Sequence, residues 1–246
     1  MFKKIAVSAC MAVGMMAASV AQAAPIQTAL SVVIDGSGSI GTADFATQRD
    51  AYANVFGDAS VLKADGTVVV NVIQFASSAQ IEQTAIRISS EADRTTLLDS
   101  INGPINGMTQ LGGSTAIGDG INLGRSDMET FLAGLPAGEI ASDFDKLIDV
   151  STDGGNNTGF NPVTATDDAI SDGYSAVNCL AVGAGNCSFM SGDGTVFSAS
   201  SFNDLQPVLE NKVRTELGTI PVPATALLLG LGLIALGAAT RRRVAA

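Results

Sequence analysis

Ser31-Val32-Val33-Ile34-Asp35-Gly36-Ser37-Gly38-Ser39-Ile40 is a β-branched apolar run that stops at a carboxylate followed by two alternating hydroxyls. A strand covered on both faces reads as continuously apolar, and ligands of open α/β sheets gather beyond the ends of such strands. Asp35 stands at that end. Gly36 and Gly38 let the loop bend sharply, so the oxygens of Asp35, Ser37 and Ser39 can converge on one point, an arrangement suited to a hard cation. Asp, Gly and Ser also dominate ordinary turns, so the decapeptide by itself reads equally well as a turn.

Two distant segments change the balance. Thr115 lies in Leu111-Gly112-Gly113-Ser114-Thr115-Ala116-Ile117, at the expected start of a helix, and Asp153 ends Leu147-Ile148-Asp149-Val150-Ser151-Thr152-Asp153, again a strand running into a loop. Asp-x-Ser-x-Ser followed in order by this Thr and this Asp resembles the metal-ion-dependent adhesion site of von Willebrand factor A domains. The resemblance covers residues 27–218. It implies an α/β fold with a doubly wound, mostly parallel sheet, one antiparallel edge strand and helices on both faces. It also implies a metal held by Asp35, Ser37, Ser39, Thr115 and Asp153, with an open position that a ligand carboxylate fills. The donor chemistry agrees: three hydroxyls and two carboxylates are an all-oxygen set, and the chain has no histidine. Magnesium, manganese or calcium is expected in preference to zinc.

The ends of the chain differ from its middle. Met1-Phe2-Lys3-Lys4, an apolar stretch and Ala21-Gln22-Ala23 make residues 1–23 a secretory signal peptide with a small-x-small cleavage site. Val7-Ser8-Ala9-Cys10 looks like a lipoprotein box, but too few apolar residues precede it. Near the other end, Pro221 and Pro223 break the chain before the apolar segment 224–239 and the cluster Arg241-Arg242-Arg243. Sixteen helical residues span about 24 Å, short of the ~30 Å hydrocarbon core. Residues 219–246 resemble the PEP-CTERM class of bacterial sorting signals, in its Val-Pro-Leu-Pro-Ala variant, matched here by Ile220-Pro221-Val222-Pro223-Ala224. A plain C-terminal membrane anchor is the other reading. In both the arginines stay cytoplasmic and the domain lies outside, at the envelope or in the extracellular matrix of a Gram-negative bacterium.

Five of the 13 basic residues sit in those two ends, so all 24 acidic residues face only eight basic ones between them. Nucleic acid and anionic lipid surfaces are poor partners for such a domain. Its length suffices for one sizeable core.

Periodicity supplies the remaining elements. Helices are expected at 43–56, from a Ser90 capping box to 101, from Thr115 to 132, at 164–172 and at 201–217. Thr115 then has a second reading, as a helix N-cap hydroxyl. Strands are expected at 68–75, 81–88, 144–152, 174–182 and 195–198, the second and third joined by the tight turn Ser77-Ser78 and so antiparallel. Most A domains place a helix before the last strand; this chain offers only Ser188 to Gly194, which predicts a thinly covered sheet edge. Asp149, inside a strand, is assigned to structure; Gly154, Gly155 and Asn156 read equally well as a plain turn, while the resemblance to secreted bacterial A domains implies that Asn156 and Asn157 shape the rim of the site. Export permits a disulfide, and once Cys10 leaves with the leader only Cys179 and Cys187 remain to form one.

These features point to a non-catalytic, metal-dependent module that binds a protein ligand presenting an acidic residue. A structural matrix protein whose metal merely holds loops together is the alternative. A metal-dependent hydrolase is the third class; it lacks a histidine and any Lys or Cys placed as base or nucleophile.

Overall fold

In the computed structural model, which describes residues 24–190 and 194–219, the apolar run lengthens into strand β1, Ile26–Asp35, with nine of ten residues buried. Its side chains alternate between two cores. Leu30, Val32 and Ile34 enter one, while Val33 enters the other, which is how a strand covered on both faces must behave. β1 pairs in parallel with β2 (Val68–Phe75) on one side and with β4 (Ile140–Thr152) on the other. β3 (Ala79–Arg87) returns antiparallel along β2 and forms the edge. Beyond β4 lie β5 (Ala176–Val182) and β6 (Val196–Ala199), giving the order β3-β2-β1-β4-β5-β6.

Helices cover both faces. α1 (Thr42–Gly57), α2 (Glu91–Asn102) and α5 (Leu205–Glu216, entered through a short 3-10 turn at Phe202–Asp204) bring Tyr52, Phe56, Leu97, Ile101, Leu209 and Val213 into the first core. α3 (Ile117–Ala133) and α4 (Pro162–Ser171) supply Ile117, Ile121, Ala165 and Ala169 to the second. This is the doubly wound A-type architecture, mostly parallel with one antiparallel edge pair.

Several boundaries shift for local reasons. α2 begins as expected, the Ser90 side chain accepting from the Asp93 N–H. α3 does not: its N-cap is Ala116, without a side-chain cap, so Thr115 sits one residue outside the helix and is no N-cap. α4 starts at Pro162 because Asn161 caps it, accepting from the N–H groups of Val163 and Thr164, and proline suits a first turn. β4 starts at Ile140 rather than Phe144, its first half pairing only loosely with the start of β1.

Between β5 and β6 the described residues contain no helix, as the sequence led us to expect. The edge is nonetheless partly covered. A disulfide joins Cys179 in β5 to Cys187, and the tethered loop lays Phe189, 3% exposed, into the second core beside Val177 and Cys179. Among the described residues no helix is long and apolar enough to cross a membrane; the leader 1–23 and the apolar segment 224–239 lie outside them.

Candidate metal centre

The sheet delivers Asp35 and Asp153 to the same edge because β1 and β4 are parallel neighbours, with Ile34 opposite Ser151. Asp35 is fully buried. One carboxylate oxygen, Oδ1, accepts the Ser37 N–H at 2.8 Å, and the other, Oδ2, accepts the Thr152 hydroxyl at 2.6 Å. The Ser37 and Ser39 hydroxyls are 3.0 Å apart, and Ser39 donates to Asp153 Oδ1 at 2.7 Å. Asp35, Ser37, Ser39 and Asp153 are therefore linked in series, the first step through the Ser37 backbone N–H and the others oxygen to oxygen, buried at the Asp35 end and open at the Asp153 end.

Thr115 arrives on a separate loop, and its backbone is clamped twice by one residue. The Thr115 N–H donates to Asn157 Oδ1 at 2.8 Å, and the Asn157 N–H donates to the Thr115 carbonyl at 3.0 Å. Thr115 itself is 4% exposed. The loop carrying it is tied to the Asp35 loop from both sides: Gly38 N–H to the Gly113 carbonyl and Gly112 N–H to the Gly36 carbonyl, each 2.8 Å. Gly112 and Gly113 have φ of 70° and 91°, a region that glycine alone enters without strain.

Glutamines complete the scaffold, and periodicity could not assign them. Gln74, one of two polar residues with Asn71 in the buried strand β2, accepts the Leu111 N–H and donates to the Thr109 carbonyl. Its Oε1 lies 2.0 Å from where a Gly36 Cβ would stand, so this strap requires a glycine there. Gln110 donates to the Ser37 and Ile40 carbonyls, and buried Gln48 in α1 donates to the Asp35 carbonyl at 2.8 Å. The available signal was a polar residue in a mostly apolar strand (Gln74) and another on the buried face of a helix (Gln48). Thr152, which holds the Asp35 carboxylate, was read only as the end of a strand.

Burial pushes the Asp35 carboxyl above the usual carboxylate range, the hydrogen bonds from Ser37 and Thr152 oppose this, and the nearby Asp153 charge adds to the rise. A cation among these oxygens would offset both the desolvation and the like charge. Among the described residues no three His, Cys, Asp or Glu side chains cluster as metal ligands, so a cation here depends on the hydroxyls. The residues fit a hard cation that accepts neutral oxygens. Beside the centre, the loop after Asp153 and the disulfide loop enclose an open cavity of about 460 Å³ lined by Asn156, Asn161, Asn186 and Phe189 among others.

The model of the family DUF1194, described as a protein of unknown function, matches residues 25–219. No curated protein matches the chain in sequence. Solved structures do resemble it in fold. The proximal thread matrix protein 1 of the mussel byssus, with a zinc-occupied MIDAS motif, superposes with a TM-score of 0.56 at 18% identity, over 77% of this chain and 48% of that one. The pilus adhesin SpaC of Lactobacillus rhamnosus GG, in its open conformation, gives 0.57 at 13% identity over 78% and 30%. The conserved hypothetical protein BatB of Bacteroides thetaiotaomicron gives 0.53 at 18% identity over 78% and 99%. The chain thus spans about half the length of the byssus protein and less than a third of the adhesin.

Proposed function

The chain belongs to the DUF1194 family, and from the oxygen cluster at the end of β1 we propose that it is an exported, non-catalytic module that binds a protein ligand through a divalent cation. The observation that carries this reading is the hydrogen-bonded series Asp35–Ser37–Ser39–Asp153, with the loop that carries Thr115 tied to the Asp35 loop through Gly112 and Gly113. In this reading Asp35, Ser37, Ser39, Thr115 and Asp153 hold magnesium, manganese or calcium. The metal would supply an incompletely neutralised positive centre that attracts an acidic side chain of the partner. The chain's own contribution is rigidity: Gln74, Gln110 and the two glycine contacts fix the loops before any ligand arrives, which lowers the ordering cost of binding.

A thread matrix protein and a pilus adhesin among the structural neighbours are consistent with this role. The zinc-occupied motif of the byssus protein adds zinc to the cations worth titrating, although the histidine-free donor set favours harder ions. The proposed layout is a leader at 1–23, the binding domain at 27–218 and a sorting or anchoring segment at 219–246, which places the domain at the envelope or in the matrix. A hydrolase fits less well, because both Asp35 oxygens are engaged by Ser37 and Thr152 and so are poorly placed to act as a general base. A purely structural metal fits less well too, because direct hydrogen bonds already tie the loops together.

The test is a pull-down from envelope extracts in magnesium, repeated with a chelator and with Asp35→Ala. Partner retention should fall at least tenfold with either change while circular dichroism stays that of the wild type. Thr115→Ala should weaken retention less, because water replaces a hydroxyl more readily than a carboxylate. Equal retention by Asp35→Ala in saturating magnesium would transfer the weight to the structural-matrix reading.

A further inference from the structure

Opposite the metal centre's chemistry, in the first core, lies a group of charges that the binding reading does not use. Lys212 of α5 is 0% exposed, and its Nζ ion-pairs with Asp149 Oδ1 of β4 and, at 2.5 Å, with Glu216 Oε1 one turn later in α5. Asn178 of β5 donates to the same Glu216 oxygen at 2.8 Å, and Phe197 of β6 places its ring 5.7 Å from Nζ. From α1, the fully buried Tyr52 faces Asp149 and Glu216. The side chains of Lys212 and Asp149 are 0% exposed and that of Glu216 2%.

One ammonium here serves two carboxylates. Among the described residues Lys212 is the only cation paired with either acid. If both acids were ionised, the cluster would hold a net negative charge in a dry core, which is strongly unfavourable. Three carboxylate oxygens mark the imbalance: Glu216 Oε2 and both Asp149 oxygens are buried without a hydrogen-bond partner among the described residues, Asp149 Oδ1 meeting Lys212 only as an ion pair. Glu216 is also the last residue of α5, where the helix dipole disfavours a negative charge.

We propose that this cluster is a proton-binding site: Glu216 holds a proton in the folded protein at mildly acidic pH, and that proton secures the closing helix α5 against β4. Burial, reinforced by the Asp149 charge and only partly offset by Lys212, pushes the Glu216 carboxyl up to about 7, from an ordinary 4.5. The sign follows from linkage. The folded chain holds the proton to higher pH than the unfolded chain, so the stabilisation is complete below about 4.5 and is lost as pH rises through about 7. The docking of α5 therefore weakens as the surroundings turn alkaline, whether or not a metal occupies the centre.

The experiment is a melting series of the full-length protein from pH 5 to 8, in chelator, with Glu216→Gln alongside and the Glu216 carboxyl carbon followed by NMR. The wild type should lose several degrees between pH 6 and 8. Glu216→Gln, which mimics the protonated acid, should be flat over that interval and melt higher than the wild type at pH 8. Asp149→Asn, which removes the like charge, should move the Glu216 midpoint down by a unit or more. A Glu216 carbon already in its ionised position at pH 5, or equal slopes for wild type and Glu216→Gln, would overturn the proposal. The carbon titration decides the matter even if a variant fails to fold.

Discussion

Asp35 is the residue at which stability and the proposed function pull in opposite directions. Its carboxylate is fully buried, and burial with the neighbouring Asp153 charge raises its proton affinity; ionised Asp35 therefore costs the metal-free fold. Asp35→Asn keeps the shape and an acceptor for the Ser37 N–H while removing the charge. In chelator it should melt no lower than the wild type. In magnesium at a hundred times its dissociation constant the wild type should gain about 2.7 kcal/mol, and the order should reverse, as differential scanning calorimetry with and without EDTA would show. A variant that melts well below the wild type in chelator would mean that Asp35 is structural. At this scale residue type and order singled out Asp35, Ser37, Ser39, Thr115 and Asp153, and the fold joins Asp35, Ser37, Ser39 and Asp153 by hydrogen bonds. The sequence was silent on Thr152, Gln74 and Gln48, whose roles depend on partners 117, 37 and 13 residues away.

α3 is the element whose packing depends most on small residues. At Gly120 an added Cβ would stand 2.7 Å from Val33 Cγ1 and 3.1 Å from the Phe75 ring, whereas at Gly124 its nearest neighbours would be at 3.4 Å. Alanine improves helix propensity by about 1 kcal/mol at either position, but overpacking a dense core costs about 1–3 kcal/mol. Gly120→Ala should therefore lower stability by roughly 1–2 kcal/mol. Gly124→Ala should be neutral or raise it by up to about 1 kcal/mol, and urea denaturation of the pair would separate the two effects. The helix itself was legible from its apolar stripe, Ile117, Ile121 and Met128 being fully buried. Its first residue was not, because the turn before it is shaped by hydrogen bonds to Ala76, Ser77 and Asn157 on other loops and by no local cap. Likewise the missing helix before β6 was visible as an absence of pattern, while its partial replacement by Phe189 on a disulfide-tethered loop was not.

For the whole molecule, the expected maturation is cleavage after Ala23 and removal of the tail near Pro221-Val222-Pro223. Mass spectrometry of protein from the native host should give an N-terminus at Ala24 and no peptide containing Arg241 to Arg243; retained arginines would make the tail a plain anchor. Fold class was readable from the chain alone because burial on both faces of a parallel strand leaves an unbroken apolar run, and because a connection as short as residues 76–78 leaves β2 and β3 no option but to run antiparallel. The candidate centre was legible as a position, since Asp35 and Asp153 follow apolar runs and a parallel sheet leaves room for ligands beyond its strand ends. Strand order, the clamp of Asn157 on Thr115 and the burial of Asp149, Lys212 and Glu216 together were decided only by tertiary structure. Asp149 and Lys212 lie in different elements, and each alone reads as an ordinary charge on an acidic chain. Only the docking of α5 across β4 removes water from both and makes their pairing, and the proton on Glu216, matters of free energy.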